Sequence, residues 1–418
     1  MKIQINHIAK IEGHAGFTAE ILKGNVQKAK IDTQDGARLI ESILVGRLYK
    51  DAPTITSRIC GLCPVVHNLC ATKALESALN VKPSEQTIKL RKIMELAQIV
   101  YSHTLHFYFL TLPDFFDIEN DITLVKKYPT ETKKIFQMRD WSQKVQRVVS
   151  GRTVHPLTTE IGGFRNLPNK EQLKSIAIES EAVLNNSIEI GNFFTKLKLP
   201  KFGRESEYIA CKKDSEYAIY DGTITSSKGW SAEDKDYEKN IQELQIPYYM
   251  AKRVKHEYSS YMVGAIARIN LSHKLLNPPA KKMLSKFKLK PPIYNTFANI
   301  FCQIVENVHC IEEIKKLTEE LSETELKKNN IKYTLQAGYG AASIEAPRGT
   351  LYHAVKLDDK GLITDYNIIT PTVQFLANLE DDIKQYLPDL KNLSDKTRNS
   401  KIKSLIRAYD PCITCATH

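Results

Sequence analysis

Apolar residues recur along this chain with two spacings. Near the N-terminus they alternate with polar ones: Ile3 and Ile5 are flanked by polar neighbours, Gly13-His-Ala-Gly16 breaks the run, and Phe17 to Ile21 and Asn25 to Ile31 resume it, which predicts strands over residues 2 to 31. From Arg38 the spacing lengthens to that of a helix. Arg38 to Leu44 predicts a short helix stopped at Gly46, and Val65 to Leu79 a longer one with Pro64 in its first turn. Thr87 to Leu112 predicts a long helix stopped by Pro113, and Glu131 to Arg147 and Lys170 to Leu197 two more. Glu207 to Ile224 is β-like, with a turn at Tyr220-Asp-Gly222. Helix returns over Pro279 to Phe287 and Ile293 to Thr324. Tyr333 to Ile369 forms a second β region turning at Asp358-Asp-Lys-Gly361. Val373 to Tyr386 and Ser394 to Tyr409 lead helically to the end. No repeat, low-complexity linker or shift of composition divides the chain. The expected fold is mainly α with two small β patches (α+β), as one domain over residues 1–418.

Composition narrows the class. The 418 residues are 42% hydrophobic and 26% charged, an ordinary globular balance rather than a disordered one. The net charge of +11 comes from lysines scattered among acids, as in Glu312-Glu-Ile-Lys-Lys316, with no block of like charge. That pattern predicts a solvated face rather than a nucleic-acid stripe, though a basic surface also suits an acidic partner subunit. Met1 to His7 lacks the apolar core of an export signal, and no run of 18 apolar residues predicts a membrane span. Eight cysteines without an export signal point to a reducing, cytoplasmic setting where thiols bind metal or stay free. Cys70, Cys211, Cys302 and Cys310 stand alone and read as small buried hydrophobes.

The other four cysteines form two pairs at opposite ends: Arg58-Ile-Cys60-Gly-Leu-Cys63-Pro-Val-Val-His67, and Asp410-Pro-Cys412-Ile-Thr-Cys415-Ala-Thr-His418. Each is a Cys-x-x-Cys with a histidine shortly after. Four thiolates can hold a soft transition metal. If Pro64 opens a helix, the spacing returns the His67 imidazole toward the Cys63 sulfur, as ligand or as hydrogen-bond donor. Spacing alone leaves three readings open: a structural four-cysteine zinc in a non-catalytic scaffold subunit, a redox-active metal centre, and a redox disulfide. Zinc ribbons are local units, whereas these pairs lie almost the whole chain apart. Neither pair has the βαβ context of a redox disulfide.

Together the two stretches closely resemble the large subunit of nickel–iron hydrogenases, with its R-x-C-G-x-C-x-x-x-H and D-P-C-x-x-C-x-x-H motifs met position for position. The related large subunit of respiratory complex I lacks these cysteines. Weaker motifs extend the likeness. Lys10-Ile-Glu-Gly-His14 is similar to the family's R-I-E-G-H, with Lys in place of Arg, and Arg38-Leu-Ile-Glu41-Ser-Ile-Leu-Val-Gly-Arg47 to its R-x-x-E-x-I-L-x-G-R. Gly151-Arg-Thr-Val-His-Pro156 with Gly162-Gly163, Glu345-Ala-Pro-Arg348-Gly, and Asn367-Ile-Ile-Thr-Pro-Thr372 match its later elements. The family's precursors carry a short tail beyond the final histidine; this sequence stops at His418.

The resemblance implies a large helical-bundle domain, with Cys60 and Cys412 as terminal nickel ligands. Cys63 and Cys415 would bridge nickel to an iron carrying CO and cyanide. It further implies that Arg348 lies over the open edge of the metals, held by Asp114 and Asp410, and that Thr372 offers its hydroxyl to a cyanide. Glu12 would relay protons from the Cys412 thiolate. Glu41, the Ile368 carbonyl and His418 would hold Mg2+. The implied activity is reversible heterolytic cleavage of H2. No remaining cysteines have ferredoxin spacing and no glycine-rich dinucleotide fingerprint follows a strand. The implied partners are therefore an iron–sulfur small subunit and a flavin-bearing NAD(P) diaphorase module, as in the cytoplasmic sulfhydrogenase-like group.

Overall fold

The computed structural model describes residues 2–23, 25–118, 120–247, 249–328 and 331–418. Its largest unit is a bundle of four long helices, Glu85–Thr104, Pro129–Ser150, Lys170–Phe194 and Asn299–Glu323. Local chemistry sets their ends. The Ser84 hydroxyl accepts from the Thr87 amide, Asn169 and Gln172 close a reciprocal capping box, and Gly151 ends its helix at φ 76°. The run expected to stay α-helical to Leu112 leaves the α ladder after Thr104. It widens into a π-helical stretch over Leu105–Thr111 just before Pro113, which cannot donate to a continuing helix.

The helix Pro64–Ala78 lies inside the molecule, with all but two of its side chains buried, and Pro64 occupies its first position. It packs on an antiparallel meander of strands Gly338–Ala346, Gly349–Leu357 and Ile363–Ile369. Strand and helix meet at Gly340, where a Cβ would stand 2.2 Å from the Ala74 carbonyl oxygen, so only glycine allows this approach. A second meander, Lys2–Ile5, Ala15–Leu22 and Asn25–Thr33, packs against the helix Pro371–Tyr386.

The middle of the chain departs from expectation. Strand Glu207–Lys212 pairs with Thr223–Ser226, but residues 213–222 between them are not a tight hairpin. Tyr217, Ala218, Ile219 and Tyr220 are buried there, and the Ile219 carbonyl accepts from the Glu345 amide, so their side chains join the core instead of a ladder. Short pairings over 231–262 and 159–164 raise the described sheets to five, where two β patches were expected. The helix expected from Ile293 begins at Asn299, after a one-turn 3-10 segment capped by Asn295. The α+β class stands. One buried hydrophobic core runs from Ile3 to Ala416, so the C-terminal segment is part of the interior.

Candidate metal centre

The first cysteine loop is shaped by the start of the helix Pro64–Ala78. Cys63 sits at its cap, where backbone amides lack helical partners, and the Gln98 side chain supplies them: Oε1 accepts from Val65 and Val66 at 2.7 and 3.2 Å, and Nε2 donates to the Leu62 carbonyl at 2.9 Å. The Leu62 amide donates to Cys60 Sγ at 3.3 Å. The second loop follows the helix Asp395–Ala408. Asp410 adopts φ 56°, a left-handed turn that Asp tolerates, and redirects Pro411-Cys412 beside Glu12. There the Ile413 amide donates to the Glu12 carbonyl at 2.8 Å, and the Cys412 amide to Thr372 Oγ1 at 3.1 Å.

These two loops bring the four sulfurs together. Cys60 and Cys412 lie 3.6 Å apart, Cys63 and Cys415 3.5 Å, and Cys412 and Cys415 2.7 Å, all buried. Four thiols this close titrate as a unit, because neighbouring thiolates repel unless a cation sits among them. Hydrogen bonds from Cys412 and Cys415 favour the Cys60 thiolate, while burial pushes Cys412 and Cys415 up.

The side chains around the sulfurs are equally specific. Cys412 Sγ donates to Glu12 Oε2 at 2.9 Å, and the Thr414 hydroxyl lies 2.6 Å from both Glu12 oxygens. Arg348 donates through Nε to the Asp410 carbonyl at 2.7 Å and through Nη2 to its carboxylate at 2.8 Å. Burial opposes its charge, but Asp410 and the thiolates outweigh that and hold the guanidinium charged. Arg348 Nη1 is buried and has no hydrogen-bond partner among the described residues, and Arg348 lines a small pocket together with Cys63, His67, Thr372, Cys412 and Cys415. His67 lies within reach of Cys63 and Cys415. Its Nδ1 meets His353 Nε2 at 3.3 Å, and His353 Nδ1 meets the Tyr366 hydroxyl at 2.8 Å. Burial pushes the His67 imidazole down to about 3, so it is neutral.

Asp114 is placed differently from expectation. It pairs with Arg407, whose side chain also donates to the Ala9 carbonyl, and among the described residues Asp410 supplies the carboxylate that holds Arg348. The reason is geometric: the helix Asp395–Ala408 inserts Arg407 against the Leu112–Phe115 turn. Glu41, the Ile368 carbonyl and His418 lie close together. His418 Nε2 is 3.1 Å from the carbonyl and 3.9 Å from Glu41 Oε1, which also accepts from the Ile368 amide at 2.8 Å. Burial would raise the Glu41 pKa, but His418, Lys252 and that amide outweigh it and pull it down. Thr414, Gln98, His353 and Tyr366 were not singled out in the sequence. Only Thr414 gave a signal, as the polar position inside Cys-x-x-Cys. The four lone cysteines are buried, as expected of small hydrophobes.

This donor set fits a soft bimetallic centre: four sulfurs with no carboxylate among them, and an unpartnered buried guanidinium nitrogen on the same cavity. Among the described residues no helix is long and apolar enough to cross a membrane.

Comparison with known proteins gives the same answer. The sequence profile described as nickel-dependent hydrogenase matches residues 38–149 and 160–418. The chain is 30% identical to the alpha subunit of sulfhydrogenase 1 of Pyrococcus furiosus, over 100% of this chain and 98% of that one. It is 27% identical to the alpha subunit of sulfhydrogenase 2 of the same organism, over 100% and 99%. The fold superposes on the crystal structure of an NAD+-reducing [NiFe]-hydrogenase in the H2-reduced state with a TM-score of 0.90, 23% identity, and coverage of 100% and 99%. The chain belongs to the nickel-dependent hydrogenase family, as the large catalytic subunit of a nickel–iron enzyme.

Proposed function

We propose the following division of labour for the reversible heterolytic cleavage of H2. Cys60, Cys63, Cys412 and Cys415 would together hold nickel and iron. When bound, the pair would supply the Lewis acidity that makes H2 acidic, and the iron is read as carrying CO and cyanide. Glu12 accepts the proton that leaves H2 by way of the Cys412 sulfur, and Thr414 holds its carboxylate in place. Arg348, fixed by Asp410, offers its free Nη1 to a small anionic ligand such as cyanide, and Thr372 offers its hydroxyl O–H on the same cavity. His67 donates to, or ligates at, the Cys63 side. Asp114 acts at a distance, by seating Arg407. Glu41, the Ile368 carbonyl and His418 would hold a hard cation, read as Mg2+.

The observation that carries this reading is the 2.9 Å contact between Cys412 Sγ and a carboxylate beside four converged sulfurs. The test is Glu12→Gln. We expect nickel and iron near one each per chain, infrared bands from CO and cyanide, and loss of H2/D+ exchange. Full exchange in that variant overturns the relay. Zinc alone in the wild-type protein overturns the metal assignment.

The same reading takes residues 1–418 as one domain, supported by the single buried core from Ile3 to Ala416. Electrons leave through an iron–sulfur small subunit, since the remaining cysteines are isolated and buried. The relatives are named as alpha subunits, and the fold neighbour is NAD+-reducing. Both support an assembly that passes electrons through a flavin module to NAD(P) in the cytoplasm. Reduction of NAD+ or NADP+ by H2 in the purified complex decides the acceptor.

A further inference from the structure

His353 and Tyr366 have no part in the chemistry above, yet with His67 they form a buried chain that ends at the sulfurs. They stand on the paired strands Gly349–Leu357 and Ile363–Ile369, and the helix Pro64–Ala78 packs on that sheet with His67 facing them. The Tyr366 hydroxyl is 2.8 Å from His353 Nδ1, and His353 Nε2 is 3.3 Å from His67 Nδ1. Among the described residues, none of these four atoms has another side-chain hydrogen-bond partner. A ring nitrogen of His67 lies within 4.8 Å of the Cys63 and Cys415 sulfurs. With Nδ1 taken by His353, Nε2 is the one left to meet them.

Each contact needs one donor and one acceptor, and only one direction leaves no buried O–H unpaired. The Tyr366 O–H has His353 Nδ1 as its acceptor. An imidazole that accepts at Nδ1 carries its proton on Nε2, so His353 donates to His67 Nδ1. By the same rule His67 carries its proton on Nε2. We propose that Tyr366 and His353 are positioning residues that fix the tautomer of His67, so that it presents an N–H to a cysteine sulfur instead of a lone pair to a metal. The proposal rests on reading the four cysteines as the nickel–iron ligands. A hydrogen bond donated to a thiolate draws charge from the sulfur, and through it from the metals. A tyrosine hydroxyl two residues removed from the site thereby acts on its electronics.

The test uses the purified holoenzyme complex. Tyr366→Phe removes one hydroxyl and keeps the ring. Nickel and iron content should match the wild type, while the infrared CO band moves to lower frequency, because charge no longer drawn off the sulfur returns to the iron and weakens the C–O bond. In a His353→Phe background, Tyr366→Phe should add no further shift, a coupling that a local packing change at Tyr366 would not produce. An unmoved band in Tyr366→Phe overturns the relay, and so do shifts that add in the double variant. Neutron diffraction from the deuterated wild-type holoenzyme reads the chain without any substitution and whatever metals are bound. Deuterons are expected on the Tyr366 hydroxyl and on Nε2 of His353 and His67; a deuteron on Nδ1 of either histidine overturns the relay. Absence of CO and cyanide bands from the wild type instead defeats the nickel–iron reading, and the deuteron positions then decide the relay by themselves.

Discussion

At the scale of single residues, the centre is sharpest around Glu12. A carboxylate beside a thiol must be held still to receive its proton, and Thr414 does this from within the second Cys-x-x-Cys, through its hydroxyl and its amide. Thr414→Val removes the hydroxyl and keeps the shape. It should leave nickel and iron in place and slow H2/D+ exchange about 10- to 100-fold, the usual loss when an outer partner of a metal site is removed. Unchanged exchange would show that Glu12 is held by other means. Glu12, Arg348 and the cysteines were legible in the sequence because their motifs are local strings. The partner of Arg348 was only half legible. Asp410 adjoins a cysteine motif, whereas Asp114 was paired with Arg348 by likeness and turns out to face Arg407.

At the scale of elements, the centre is braced by ion pairs deep in the bundle. Arg268, on the helix Ala265–Ser272, binds Glu306 at 2.6 and 2.7 Å and Glu345 at 2.7 Å, and donates to the carbonyls of Ala346 and Pro347, which lead into Arg348. Burial alone would raise the Glu306 pKa, but Arg268 and His103 outweigh it and hold the carboxyl well below its usual range. Glu306→Gln leaves Arg268 under-compensated in the interior and should cost about 3–5 kcal/mol in denaturant unfolding. A loss under 1 kcal/mol would mean that Glu345 suffices alone. Gly340→Ala tests the helix–strand contact. Its Cβ meets backbone at Ala74 and Ala78, which cannot rotate away, so a loss of about 1–3 kcal/mol is expected by thermal melt. The periodicity found nearly every long helix, because apolar spacing is local. It missed the buried loop 213–222, whose apolar run looks like a strand but serves the core.

At the scale of the whole molecule, buried neutral histidines couple stability to pH. Burial pushes His309 down to about 4 from an ordinary 6.5. Between those values the unfolded chain binds a proton that the folded chain does not. Stability therefore rises with pH through the window and is lost as pH falls from 6.5 toward 4, by an amount on the order of 3 kcal/mol. His309→Gln, which keeps an acceptor for the Asn277 amide, should make the melting temperature less steep in pH over that window. A profile parallel to the wild type would place the titration elsewhere.

The sequence by itself determined the ligand types, their two short spacings, the helices that carry them and the α+β class, because each is set by residues within a few positions of one another. The tertiary structure alone decided that the two pairs meet, that Asp114 serves Arg407, and that most of the last nine residues are buried. These are contacts between segments up to four hundred positions apart, as with Glu12 and Cys412. No local pattern records such a distance; it is fixed only when the whole chain has packed.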